Sequence, residues 1–194
     1  DESVVKSTSV SFTCTATDDL ELTDATLYIG DQPEAVTFSG PADTEDAQIS
    51  ADQPNTNYGG DTSINVDGEN PHAHAVIKSL NVFGGGPGQA PLGSSIVSAT
   101  LEINCFDSGN KMQLYRLTQD WVESEVTWND CASGVPWTDP GTDGLGSHGD
   151  VALDGDCAST GWRSLDITAF VQEWSDGAPN YGVVLTDTGT DVVD

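Results

Sequence analysis

The chain has 194 residues and a formal net charge of −27, from 5 Lys+Arg against 32 Asp+Glu. So acidic a surface excludes a nucleic-acid ligand, because phosphate binding needs a basic face, and it argues equally against anionic membranes. No apolar run approaches the roughly 18 residues of a membrane span, so no membrane insertion is expected. Hydrophobic residues make up 36%, enough for one domain of this length, which buries roughly 70% of its unfolded surface. Two readings of the acidity stand side by side: a solvated surface suited to solubility or high salt, and Asp side chains that hold Ca²⁺, a hard cation taking carboxylate and carbonyl oxygens.

The pattern is that of short strands, taken in chain order. "SVSFTCTA" (9–16) alternates, with Val10, Phe12, Cys14 and Ala16 on one face. "DATLYIG" (24–30) and "EAVTFSG" (34–40) follow as further short strands. Strands are expected around 46–50 and 62–67, separated by a loop rich in Pro, Asn and Gly, and "AHAVIKSLNVF" (73–83) reads as buried strand. "SATLEINCF" (98–106) is the clearest strand, with Ala99, Leu101, Ile103 and Cys105 on one face. "KMQLYRLT" (111–118) is expected to pair with it as a hairpin across "DSGN". "EVTWND" predicts another strand, and 133–150 a long Gly/Asp/Pro loop.

"GWRSLDI" (161–167) reads as strand, and "TAFVQEW" (168–174) as the one short helix, near 167–175. Asp166 or Thr168 would cap that helix, and Phe170, Val171 and Trp174 would form its apolar face. "YGVVLTD" (181–187) is the last strand. The sum is an all-β sandwich or jelly roll with one short helix and additional N-terminal strands.

Four cysteines, Cys14, Cys105, Cys131 and Cys157, lie in no zinc-like spacing, and an even count in a Lys-poor chain points to disulfides and an oxidising compartment. Three pairings are possible; the expectation is Cys105 with Cys157 and Cys14 with Cys131, with free buried thiols as the alternative. A chain that begins at Asp1 without a leader reads as a processed product.

The acidic segment "QDWVESEVTWNDC" (119–131) concentrates two Trp. Alternation puts Trp128 with Val126 in the core, Trp121 packs under the acidic turn, and Glu123 is expected to cap a turn or hold a backbone N–H. Trp137 and Trp162 each sit beside a Gly-rich loop, where an aromatic face could stack on a sugar, with core packing as the other reading.

For Ca²⁺ the Asp/Gly loops offer Asp139, Asp143 and Asp150, then Asp154 and Asp156, then Asp187, Asp191 and Asp194, with glycines allowing tight turns. His72 and His74 share one face of a strand, but no third metal ligand is evident. No HExxH, GxSxG or Cys/His nucleophile pattern occurs, so no enzymatic activity is expected.

"DAQISADQPNTNYGG", "SATLEINCF", "LYRLTQDWVESEVTWND" and "SLDITAFVQEWSDGAPNYGVVL" stand in an order that resembles DNRLRE-type jelly-roll modules over residues 46–191. Trp-x-Glu followed by Thr-Trp, and an Asn-Tyr-Gly near each end, carry the resemblance. It implies a non-catalytic, secreted or cell-surface β-sandwich, either carbohydrate-binding or a building block of surface proteins. Some such modules bind anionic polysaccharides through Lys and Arg. Here Lys6, Lys78, Lys111, Arg116 and Arg163 do not cluster, so an anionic polymer would need Ca²⁺ to bridge it.

Residues 9–30 resemble the first half of an immunoglobulin-like domain. The resulting division is a strand segment over 1–40 and a jelly roll over 41–194 that lacks its closing strand. The leading expectation is an extracellular fibre or adhesive subunit. Residues near 3–17, with Val10, Phe12 and Ala16, would complete the sheet of the next identical subunit head-to-tail. A fragment, or residues 1–40 folding back on their own sheet, are the alternatives, and the runner-up function is a carbohydrate-binding module.

Overall fold

The computed structural model describes residues 36–38, 42–68, 71–107, 111–142, 147–157 and 159–187. The expected strands over 9–16, 24–30 and 34–40, and the donated segment with Val10, Phe12, Cys14 and Ala16, lie wholly or largely outside these residues, as do Asp143, Asp191 and Asp194.

Five strands form an antiparallel sheet: β1 (Thr44–Ser50), β2 (Ala73–Ser79), β4 (Lys111–Leu117), β7 (His148–Asp156) and β9 (Val183–Asp187), in the order β1-β2-β9-β4-β7. A two-stranded ribbon pairs β3 (Thr100–Cys105) with β8 (Gly161–Asp166), and a small hairpin pairs β5 (Asp130–Ala132) with β6 (Val135–Pro136). Among the described residues the one α-helix is α1 (Thr168–Ser175). The arrangement is an all-β, sandwich-like fold of the jelly-roll kind.

Alternation along the strands sends side chains to both faces of the large sheet, and both faces are covered. Ala75, Met112, Leu114, Val183 and Leu185 point to one side. They pack with Leu165 of the ribbon and with Phe170, Val171 and Trp174 of α1. Ala47, Ile49, Val76, Leu117 and Val184 point to the other side, against Trp121, Val126, Cys131 and Trp137. Burial on both faces is why β2 and β9 read as near-continuous apolar runs. The second layer over 119–137 is mostly turns and one small hairpin, so large side chains rather than a full strand ladder fill it. That is why the bulky residues of so acidic a chain gather there.

The N-cap of α1 is Ile167, which supplies no side-chain cap, so neither Asp166 nor Thr168 takes the expected capping position; Asp166 instead closes a turn just before the helix. The Thr168 N–H donates to Oδ1 of Asp166 at 2.9 Å, and the Thr168 hydroxyl oxygen accepts from the Ala99 N–H at 2.9 Å. The first contact satisfies an orphan donor of the first turn and the second ties the turn to β3. Hydrogen bonding to Thr168 holds the Asp166 carboxyl below its ordinary pKa.

Several expected elements differ. β3 does not form a hairpin with β4: its partner is β8, in register from Thr100↔Asp166 to Cys105↔Gly161, while β4 pairs with β7 and β9. Over 98–118 the chain therefore crosses between layers, because the apolar faces of β3 and β4 pack against each other across the core rather than side by side. "EVTWND" is mostly turn, with the Val126 N–H donating to the Val122 carbonyl at 2.8 Å, and strand pairing begins only at Asp130. Residues 62–67 contribute one isolated bridge, Asp67↔Ala73. The loop expected over 133–150 contains β6 and the start of β7, and β7 continues through the Asp/Gly-rich residues to Asp156.

A disulfide joins Cys105 at the end of β3 to Cys157 just past β7, stapling ribbon to sheet within the core. Cys14, the expected partner of Cys131, lies outside the described residues, and Cys131 is a buried free thiol. Its sulfur donates towards the Val135 carbonyl at 3.3 Å and accepts from Gln119 Nε2 at 3.1 Å, which holds it inside the β5–β6 hairpin.

Candidate functional site

The five tryptophans separate by environment. Trp121 and Trp137 are each 2% exposed, and each donates its indole N–H to a carbonyl, Trp121 to Tyr181 at 2.9 Å and Trp137 to Thr127 at 3.0 Å. Trp137 is thus a core residue that anchors its loop, not the sugar platform that its neighbouring glycines suggested. Trp128 is half-buried, with its ring centroid 5.1 Å from that of His74. The backbone of Gly141 lies flat on this ring: a Cβ there would stand 2.2 Å from Trp128 Cζ2, and φ is +69°. Trp174 is buried under the sheet. Trp162 alone is open to solvent, at 70% exposure.

The sequence singled out Trp162 as an aromatic platform, and the fold places it where one could work. Strand alternation sends Leu101, Ile103 and Leu165 of the ribbon inward. Thr100, Glu102 and Asn104 on β3, and Trp162, Ser164 and Asp166 on β8, form one exposed face. Register sets Asn104 directly opposite Trp162, Glu102 opposite Ser164 and Thr100 opposite Asp166. The Ser164 hydroxyl donates to Glu102 Oε1 at 3.2 Å.

The strand rise of about 3.3 Å per residue makes this face roughly 13 Å long from Thr100 to Asn104. Arg163 fixes the turn that presents Trp162. Its guanidinium donates to the Trp162 carbonyl at 2.9 Å and also to Ser159, so Arg163 is committed to backbone and hydroxyl oxygens. The indole thus stands on a short, exposed polar face with the Asn104 amide in register opposite it. Chemically this combines an apolar surface for sugar C–H groups with donors and acceptors for hydroxyls.

Among the described side chains, Lys78 and Arg116 are committed elsewhere. Lys78 Nζ sits 2.8 Å from Glu45 Oε2, donates to Asp120 Oδ1 at 3.2 Å and to the Trp121 carbonyl at 3.1 Å, and lies 4.9 Å from the Trp121 ring centroid. Arg116 pairs with Glu173 at 2.6 Å. Glu123 does hold a backbone N–H, that of Asp46, at 3.0 Å. Burial, and secondarily the Glu123 charge, push the Asp46 carboxyl above its ordinary pKa.

The residues proposed for Ca²⁺ do not form one loop system. Asp150, Asp154 and Asp156 lie on β7, opposite β4, and Asp187 ends β9 opposite Met112. Asp139 is the loop residue among those described; its backbone N–H donates to Ser147 Oγ at 2.8 Å, and its carbonyl accepts from the same hydroxyl at 3.1 Å. Among the described residues no three His, Cys, Asp or Glu side chains converge on one point. The His pair divides likewise. His74 is buried, with Nδ1 placed 2.7 Å from the Gly141 carbonyl, whereas His72 is half-buried.

Sequence reasoning missed the flanking partners of Trp162. Their signal was present in the alternation of "TLEIN" and "WRSLD", but the pairing of these two strands was not foreseen. Among the described residues no helix is long and apolar enough to cross a membrane. No curated protein matches the chain. The model of carbohydrate-binding module family 96 matches residues 37–193, most of the chain and nearly all of the described fold, and the chain belongs to that family as a non-catalytic module.

Proposed function

We propose that this chain is an extracellular carbohydrate-binding module whose contact surface is the outer face of the β3–β8 ribbon. The observation that carries the reading is Trp162, the one solvent-open indole of five, held opposite Asn104 on an exposed polar face. The ligand fitting this face is an uncharged polysaccharide. The formal charge is −27, Arg163 is bound to its own turn, and Lys78 is enclosed by carboxylates, so among the described side chains of this face no cation is free to neutralise a uronate. Affinity electrophoresis in gels containing neutral or acidic polysaccharides tests it. A neutral polymer retards the wild type, and Trp162→Ala, with unchanged circular dichroism, weakens binding about tenfold, the loss expected for roughly 1.4 kcal/mol of stacking. Equal retardation of both proteins rejects the platform.

A structural Ca²⁺ in the stretch from Asp139 to Asp156 remains part of the proposal, tested by a melting temperature that Ca²⁺ raises and EDTA returns. The second reading, a fibre subunit joined by donated strands, rests on the outer strands β1 and β7, which end the five-stranded sheet. It is separated from the first by self-association: filaments in the absence of glycan, lost on deleting residues 1–17, would support it.

A further inference from the structure

The exposed aromatic surface of the ribbon does not end at Trp162. Along β3 Thr100, Glu102 and Asn104 are exposed and Cys105 is buried, and Phe106 follows just past the strand as the next exposed residue. Phe106 is 64% exposed. Seven large apolar side chains stand open among the described residues, and the two aromatic ones are Phe106 and Trp162. Register brings these two to the same end of the same ribbon, because Trp162 faces Asn104, two residues before Phe106.

Strand geometry sets their spacing. Extending the β3–β8 ladder by one residue puts Phe106 on the diagonal from Trp162, and residues so related are about 7–8 Å apart. Both ends of the diagonal are anchored. Cys105, the chain neighbour of Phe106, is buried and bridged to Cys157. Arg163, the chain neighbour of Trp162, donates to the carbonyls of Trp162 and Thr160.

Single exposed apolar residues are ordinary, but two rings on one face form a patch that a partner can cover. The chemistry around the rings says which partner. Asn104 lies exposed beside both, with an amide that donates and accepts, and the carboxylates of Glu102 and Asp166 stand further along the same face. An apolar protein surface laid here would strip water from the amide and the carboxylates without replacing their hydrogen bonds. A sugar chain suits the mixture, since each pyranose offers a C–H face to a ring and hydroxyls to the groups between. The diagonal is wider than one pyranose ring, so a single sugar cannot lie on both aromatics.

We propose that Phe106 is a second stacking residue of the ribbon face, and that the face therefore grips two sugar rings of one uncharged chain rather than a single sugar. The proposal rests on the carbohydrate reading of the ribbon and adds to it a residue and a minimum ligand length.

The test uses the full chain in affinity gels of hydroxyethylcellulose, galactomannan and soluble starch, followed by calorimetry with the mono- to tetrasaccharides of the polymer that retards it. Phe106→Ala is expected to keep its melting temperature and to weaken polymer binding about fivefold. Phe106→Tyr is expected to bind as wild type, Phe106→Leu to behave as Phe106→Ala, and Leu92→Ala, an exposed apolar control elsewhere, to change nothing. Wild-type affinity is expected to rise steeply from mono- to tetrasaccharide, and Phe106→Ala to flatten that rise while leaving the weak monosaccharide binding in place. Wild-type retardation of Phe106→Ala or of Phe106→Leu, with Trp162→Ala weakened, overturns the second stacking residue and leaves the carbohydrate reading standing. A monosaccharide bound as tightly as the tetrasaccharide overturns the minimum length. No retardation by any of the polymers, or equal retardation of wild type, Trp162→Ala and Phe106→Ala, overturns both the proposal and the ribbon as the contact surface.

Discussion

Asn57 and Asn180 hold the chain by the same device, each at the start of an Asn-Tyr-Gly. Asn57 Nδ2 donates to the Glu123 and Val126 carbonyls, both at 2.7 Å, and its Oδ1 accepts from the Gly59 N–H at 3.3 Å. Asn180 Nδ2 donates to the Ser79 carbonyl at 2.9 Å, and its Oδ1 accepts from the Gly182 N–H at 3.1 Å. The glycine of each triplet lies hard against foreign backbone: a Cβ would stand 2.1 Å from the Glu123 carbonyl oxygen at Gly59, and 2.1 Å from that of Ile77 at Gly182. The Asn side chain thus closes a turn on itself and grips the neighbouring segment, and the Gly allows the close approach.

This device predicts an order of costs. Asn180→Ala removes two hydrogen bonds and is expected to cost about 1–2 kcal/mol. Gly182→Ala is expected to cost more, above about 2 kcal/mol, because φ is +82° as well as the space being filled by backbone. Urea midpoints of the two variants measure the order. A Gly182→Ala variant as stable as wild type would show that the turn relaxes freely.

Lys78→Met should destabilise by about 1–3 kcal/mol. It keeps the aliphatic stem over Trp121 but removes the cation that Glu45, Asp120 and the Trp121 carbonyl share. The figure is held below that of a deeply buried pair because Asp120 is 66% exposed at its side chain. Combining the change with Glu45→Gln should recover part of the loss in thermal denaturation, since the half-buried carboxylate then no longer lacks its partner.

Stability should respond to pH with opposite signs at Asp46 and Asp166. The folded-state pKa of Asp46 is raised, so its contribution is fully present below the ordinary carboxylate value of about 4 and is lost as pH rises through the folded value. Asp46→Asn is therefore expected to raise the melting temperature at pH 7 and to lose that advantage near pH 3. The folded-state pKa of Asp166 is lowered, so its contribution is present above the ordinary value and lost as pH falls through the folded one. Asp166→Ala is expected to lower the melting temperature at pH 7 and to converge on wild type in acid. Melting curves of the three proteins across pH 2–8 decide both.

Loss of the Cys105–Cys157 bridge, with its sequence separation of 52, should cost about 4 kcal/mol by loop-closure entropy. A Cys105→Ser/Cys157→Ser protein compared with wild type in denaturant gives the number. Burial pushes the Cys131 thiol up, so in a Cys14→Ser background it should stay unreactive to a thiol reagent until the protein unfolds.

Local pattern was legible wherever one face of a strand met the core. Leu101 and Ile103 on β3 and Phe170 and Trp174 on α1 lie where periodicity put them. One of the two roles open to Glu123, holding a backbone N–H, is realised with Asp46, whereas the helix N-cap falls on Ile167 rather than on Asp166 or Thr168. Pairing was not legible. The short "DSGN" connection suggested a hairpin, yet β3 and β4 face each other across the core, a choice made by the long-range match of β3 with β8. β7 was missed because Asp and Gly dominate it, and strand pairing there is imposed by β4 rather than by propensity. Of the two proposed platform tryptophans, sequence could not separate Trp137 from Trp162. Both adjoin glycines, and only the Thr127 carbonyl waiting inside the fold distinguishes the first.

The staple between Cys105 and Cys157 also has a mechanical meaning. A module anchored through its ends while holding a polymer is loaded in tension along its chain. The separation of 52 residues between the two cysteines, at about 3.5 Å per residue, withholds roughly 180 Å of contour from any extension. The withheld length contains β4, β5, β6 and β7, while the ribbon strands that present Trp162 lie just outside it, joined to each other by strand pairing alone. Under load such a module would pay out only the segments outside the staple, and the ribbon, which lies just outside it, would open from its Thr100–Asp166 end towards Cys105.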